Sequence, residues 1–151
     1  SLIQINDNRP DDIKAIQWLA FASNAFNVMV PFYADIETTP DYLSNTTGEV
    51  STDNFYWSSR MIAAMADASY KKSIFHIERY QEHVLSKGHE IINRYDDMIQ
   101  NEADTDKHLA LKHEANQAVA DMLKAATSDT LGKVLYELSN EMKNAYSRSD
   151  A

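Results

Sequence analysis

The chain has 151 residues, the size of one domain, and is 44% hydrophobic and 25% charged. Only three Gly and three Pro occur, which favours helices. The formal charge of −9 repels phosphate backbones and anionic lipids, and so argues against nucleic-acid or membrane partners. The absence of cysteine excludes disulfides, zinc–thiolate sites and a cysteine nucleophile within this chain.

The first part of the chain, residues 2–36, has a pattern typical of strands. Residues 16–21 and 28–33 are short apolar runs rich in β-branched and aromatic residues, and the polar stretch 23–27 between them predicts a hairpin loop. Pro31 cannot donate a hydrogen bond to a neighbouring strand, so it marks an edge, a bulge or a strand end. Successive apolar positions give each strand two apolar faces, which predicts that the hairpin belongs inside a larger layered sheet.

Turns are predicted at residues 38–41 and 44–48, where Thr, Pro, Asp, Asn and Gly cluster. A helix follows over residues 55–68, with Ser51 or Thr52 as the expected N-cap. Apolar residues cover nearly the whole circumference of this helix, so we expect it to be buried.

Three further helices are predicted from apolar residues at helical spacing, over 77–99, 111–123 and 131–142. Gly88 interrupts the first of them, and residues 127–129 (Thr-Ser-Asp) predict a break between the last two. The expected fold is therefore α+β and mostly helical. A strand-bearing segment, residues 1–50, precedes a helical region of about four helices, residues 51–151.

Metal and cofactor sites are not predicted. No Glu-x-x-His or His-Glu-x-x-His motif occurs, and Glu82 with His89, seven residues apart, is better explained as a solvated helix face than as a ligand pair. The five histidines all fall on predicted helices: His76, His83, His89, His108 and His113.

Nucleophiles give no catalytic assignment either. Ser58 and Ser59 lie on a predicted helix without the Gly-x-Ser-x-Gly elbow that exposes a hydrolase serine. The terminal amine of Ser1 could act as a base for its own hydroxyl, but a single terminal serine carries almost no specificity. We therefore assign no catalytic residue in this chain.

Substrate binding has two candidates, Trp57 and Arg60. The aromatic group 55–57, followed by Arg60, could line a pocket or stack on a ligand, although adjacent aromatic residues more often serve packing. An arginine in such apolar surroundings must find a carboxylate or carbonyl groups, or lie at the edge of a pocket.

Two stretches carry a resemblance to a known family. One is AIQWLA at residues 15–20, with VPFYA at 30–34 and TTP at 38–40; the other is STDNFYWSSR at 51–60, with Ala-Asp at 66–67. Together they resemble the C-terminal part of the dipeptidase A family, the N-terminal-nucleophile cysteine dipeptidases of lactic acid bacteria. The resemblance covers about the first 70 residues, and the helical remainder fits the family more loosely.

The resemblance implies a larger parent enzyme in which two stacked sheets lie between helical layers, an αββα sandwich that the hairpin would join. It implies hydrolysis of dipeptides by an N-terminal cysteine, with its own amino group as base. That cysteine matches no position here. We therefore expect a C-terminal fragment, inactive alone, whose partners are the enzyme's N-terminal region, a dipeptide substrate and further copies of itself.

Two other interpretations stay open. The acidic helices could form a self-sufficient domain that binds a partner protein, or the helical His and Glu residues could support a metalloenzyme. No apolar run approaches the roughly 20 residues that cross a bilayer, and no signal peptide opens the chain, so a cytoplasmic location is expected.

Overall fold

A computed structural model describes residues 1–21 and 24–144. It has three strands and four α-helices, which confirms the predicted α+β, mostly helical class. A short 3₁₀ turn, Thr105–Lys107, precedes the last helix. The elements are β1 (Leu2–Ile5), β2 (Ala15–Leu19), β3 (Val30–Tyr33), α1 (Asp41–Ser44), α2 (Phe55–Ala68), α3 (Tyr70–Asn101) and α4 (His108–Asn140).

The three strands form one antiparallel sheet in the order β1-β2-β3. The predicted hairpin is present as β2 and β3, with Ile16 opposite Tyr33 and Leu19 opposite Val30. The prediction of two strands was one strand short, because β1 pairs with the outer side of β2. Part of the predicted hairpin loop, residue 23, lies outside the described residues.

One face of the sheet packs on α3. Trp18 lies 4.7 Å from His89 between ring centroids, and the hydroxyl of Tyr33 reaches Asp96. Pro31, on the same face, lies over Gly88, where an added Cβ would stand 2.7 Å from the proline ring. Gly88 therefore lies within a continuous helix and provides the space in which β3 crosses α3.

The start of α2 differs from the prediction. The N-cap is Asn54, whose side-chain oxygen accepts a hydrogen bond from Trp57 N at 2.9 Å, and not Ser51 or Thr52. Ser51 Oγ instead accepts from Asp53 N, and the carbonyl of Thr52 accepts from Ser58. The short helix α1 also occupies the region between the two predicted turns.

The prediction that α2 is buried all round was wrong. Its inner face is buried, through Phe55, Ile62 and Ala66, whereas Arg60 and Ala64 are exposed. A surface helix needs only one apolar stripe, and here the additional apolar residues line the flanks of that stripe.

The predicted break near Thr127 was also wrong, because α4 runs without interruption from His108 to Asn140. Thr127 is fully buried, and its hydroxyl lies 2.7 Å from the hydroxyl of Tyr80 on α3. Thr130 Oγ1 donates back to the carbonyl of Ala126 in the same helix. Both hydroxyls thus have partners within a continuous antiparallel pair, α3 with α4, so neither is needed as a cap.

Candidate functional site

The two predicted substrate-binding residues lie together at the beginning of α2. The indole Nε1 of Trp57 donates to the carbonyl of Thr47 at 2.9 Å. The side chain of Asn45 donates to the carbonyl of Asp53, which closes the loop that leads into the helix. Trp57 therefore fixes this loop against the first turn of α2, and its ring is only partly buried.

Arg60 lies on the exposed side of the same turn. Its guanidinium stands 5.6 Å from the ring centroid of Tyr56 and 5.3 Å from that of Trp57, and Nη1 donates to the Tyr56 hydroxyl at 2.9 Å. The expected carboxylate or carbonyl partner is thus replaced by aromatic faces and a hydroxyl. Stacking restrains the guanidinium and leaves several N–H groups directed to solvent.

The chemistry open to this group is the recognition of a carboxylate or a carbonyl oxygen. A planar, permanently charged guanidinium with free N–H groups binds carboxylates in a bidentate manner. Adjacent rings offer an apolar surface, with Tyr56 and Trp57 in edge-to-face contact at 5.3 Å. We call Tyr56, Trp57 and Arg60 the aromatic–arginine group.

A second polar group, which the sequence did not reveal, surrounds Asp96. Its buried carboxylate accepts a 2.5 Å hydrogen bond from the Tyr33 hydroxyl and lies 3.6 Å from Arg9 Nε. Burial raises the pKa of Asp96 above the usual carboxyl value, while Tyr33 and Arg9 favour its charged form. Burial and the same hydrogen bond raise the pKa of Tyr33. This network joins β3 and the β1–β2 loop to α3.

Two further polar contacts from α4 hold β3 and its following loop. Lys112, on α4, is almost fully buried and pairs with Asp35 at 2.5 Å. Asn116, one turn further, bonds the main chain of Tyr33. Both contacts join β3 and its following loop to α4.

The histidines are distributed along α3 and α4. His89 makes a tilted ring contact with Trp18, and His108 lies between Asp12 and the carbonyl of Glu102. Within residues 1–21 and 24–144, no three His, Cys, Asp or Glu side chains are grouped so as to hold a metal ion. No helix in that part of the chain has the length and apolar character needed to cross a membrane.

Comparison with known proteins defines the family. The sequence model of peptidase family C69 matches residues 1–83, more than half of the chain. The chain therefore belongs to peptidase family C69. This match contains both stretches on which the resemblance to dipeptidases rests, and it confirms that resemblance.

Curated relatives extend the similarity to nearly the whole chain. "Probable dipeptidase A" of Streptococcus pyogenes serotype M3 is 39% identical over 150 residues, which are 99% of this chain and 31% of that protein. "Dipeptidase" of Bifidobacterium longum is 35% identical, over 99% of this chain and 35% of its own length. "Dipeptidase A" of Lactobacillus helveticus is 30% identical, over 90% and 28%. The chain thus spans about a third of the length of these relatives, in their C-terminal part.

Proposed function

We propose that this chain is the C-terminal structural part of an enzyme that hydrolyses dipeptides. The observation that carries the proposal is the alignment of 99% of the chain with proteins named dipeptidases, together with membership of a peptidase family. The sheet and the covering helices supply a scaffold, and the aromatic–arginine group supplies a surface that suits a peptide carboxylate.

The nucleophile of the proposed reaction is an N-terminal cysteine that this chain does not contain, since its sequence has no cysteine. In an N-terminal-nucleophile hydrolase the terminal amine takes the proton of the attacking group, so one residue supplies both nucleophile and base. A cytoplasmic location suits this chemistry, because a reducing compartment keeps the thiol available. The catalytic residues therefore belong to another region of the enzyme.

The surface proposed to meet that other region is the face of the sheet opposite α3. Residues opposite each other on neighbouring strands share a face, so Ile3, Gln17 and Phe32 lie on this side, as do Ile5 and Ala15. The open part of this face is on β1, where Ile3 and Ile5 are 65% and 64% exposed, whereas Phe32 on β3 is already buried within the chain. An apolar sheet face of this kind fits the packing of a second sheet.

The outer edge of β1 is proposed to receive a further strand. Asn6 N bonds back to Lys14 O, so the main-chain groups of Ile5 and Ile3 point away from β2. Exposed isoleucines with unpaired main-chain groups make a strong template for strand addition. We propose that the added strand comes from the rest of the enzyme, the roughly two-thirds of the relatives' length that this chain does not cover.

Hydrolysis of a dipeptide panel tests the proposed activity. We expect no turnover by the purified chain and thiol-sensitive turnover when the N-terminal region is co-expressed. Turnover by the chain alone that survives a thiol reagent would contradict the proposal. Loss of such turnover in EDTA would instead support the metalloenzyme interpretation.

Co-purification tests the proposed contact surface. Ile3→Lys should place a charge on the open face and abolish recovery of the tagged N-terminal region with this chain. Val50→Lys is the matched control, because Val50 is an equally exposed, β-branched residue (63%) outside the sheet. Equal recovery with both variants would show that the sheet face is not the contact.

A further inference from the structure

A cleft of about 450 Å³ lies between α3 and α4, away from the sheet. His76, Arg79 and His83 line it from α3, at spacings that place them on one side of the helix. Asp129 and Lys133 line it from α4, where Ala125 and Ala126 leave room beside the helix backbone. The volume is within the range of small-molecule sites.

Arg79 is oriented without being neutralised. Its guanidinium lies 4.0 Å above the ring of Phe75, one turn earlier on α3. Within the described ranges it makes no ion pair, since no carboxylate there lies within 4.0 Å of its nitrogens. A restrained guanidinium beside the imidazole of His83 is suited to bind a carboxylate.

The opposite wall carries a negative charge that is available for exchange. Asp129 pairs with Lys133 at 2.6 Å, but the two side chains are 62% and 52% exposed. An ion pair this exposed to water contributes little to stability. A ligand cation can therefore replace Lys133 beside Asp129 at a small cost in free energy. The two walls therefore offer a cation on α3 and an exchangeable anion on α4.

We propose that the α3–α4 cleft binds the zwitterion of a free amino acid. The α-carboxylate is held by Arg79 and His83, the α-ammonium by Asp129, and the side chain lies against the two alanines. A simple anion would use the α3 wall alone, because Asp129 would remain paired with Lys133. This site follows from the cleft alone and does not depend on the proposed dipeptidase function.

Calorimetric titration of the protein with glycine, leucine and glutamate tests the site directly. We expect saturable binding of at least one of them. For leucine, masking the amino group, as in N-acetyl-leucine, should weaken binding about two- to fivefold, because the pair with Asp129 is exposed. Masking the carboxylate, as in leucinamide, should weaken it about tenfold. Arg79→Gln should cause a similar loss, and Asp129→Asn should selectively remove the preference for a free amino group.

The matched control is Arg94→Gln. Arg94 also lies on α3 and stacks on an aromatic ring, that of Tyr95 at 5.3 Å, but it does not line the cleft. The proposal is overturned if none of the three amino acids binds up to roughly 10 mM. It is equally overturned if Arg79→Gln binds like Arg94→Gln, or if N-acetyl-leucine binds as tightly as leucine.

Discussion

The side-chain amide of Asn116 forms both of its hydrogen bonds with the main chain of Tyr33: Oδ1 accepts from Tyr33 N and Nδ2 donates to Tyr33 O, each at 2.9 Å. These are the groups that a fourth strand would use beside β3. Pro31, two residues earlier on the same edge, has no N–H to offer. This edge of the sheet is therefore closed by one side chain of α4 and one proline.

Asn116→Ala should destabilise the protein by about 2 kcal/mol or more, because it leaves a buried N–H and a buried C=O of Tyr33 without partners. Urea denaturation would measure the loss. Asn93→Ala, an exposed position on α3, is the control and should change stability little. Equal midpoints for the two variants would mean that water replaces the amide.

Gly88→Ala and Gly132→Ala should have opposite effects, although both glycines lie within long helices. A Cβ at Gly88 would meet Pro31 at 2.7 Å, and such overpacking costs about 1–3 kcal/mol. A Cβ at Gly132 meets nothing within 4 Å, so alanine should stabilise by up to about 1 kcal/mol. Thermal unfolding compares them, and stabilisation by both would show that β3 does not press on α3.

The contact of His108 with Asp12 should make stability depend on pH. Hydrogen bonds to the carbonyl of Glu102 and to Asp12 raise the pKa of His108 above 6.5. The stabilisation should be complete at pH values below the pKa of His108 in the unfolded chain. It should be lost as the pH rises through the pKa of His108 in the folded protein. Urea denaturation midpoints, measured from pH values below the pKa of His108 to values above it, would show this loss of stability.

Asp12→Asn supplies the control for that pH dependence. Removing the carboxylate should lower the pKa of His108, which NMR titration of the ring can follow, and should flatten the pH dependence of the urea midpoint. An unchanged titration curve would mean that Asp12 does not hold the imidazolium.

Arg60→Gln in the complete enzyme should raise KM for dipeptides about tenfold, with little change in kcat, if the aromatic–arginine group binds the substrate carboxylate. Dipeptide amides, which lack that carboxylate, should be insensitive to the change. Arg94→Gln is the control. An equal rise in KM for amides and free dipeptides would indicate a structural effect instead.

Local patterns predicted much of this fold. The hairpin was predicted from residues 16–21 and 28–33, because runs of β-branched and aromatic residues are typical of buried strands. The contacts of Arg60 with Tyr56 and Trp57 are also local, within one helical turn. β1 was missed as a separate strand, because four exposed residues give little signal until β2 is beside them.

The remaining contacts join residues that are distant in sequence. Tyr33 and Asp96 are 63 positions apart, and Lys112 and Asp35 are 77 apart. The sequence predicted a helix break at Thr127. Its hydroxyl instead pairs with that of Tyr80 on α3, and this partner is 47 positions away, where a local pattern cannot reveal it. Only the fold shows which of these polar groups are paired, so the sequence could name them but could not assign their contacts.

The two unlike edges of the sheet also limit how copies of this chain can associate. A head-to-tail array would need β1 of one copy to pair with β3 of the next, and β3 is closed by Asn116 and Pro31. Pairing through β1 alone uses the same strand from both copies, which is a two-fold, isologous contact that closes on itself. Self-association along the sheet should therefore stop at a dimer and should not extend into a fibre.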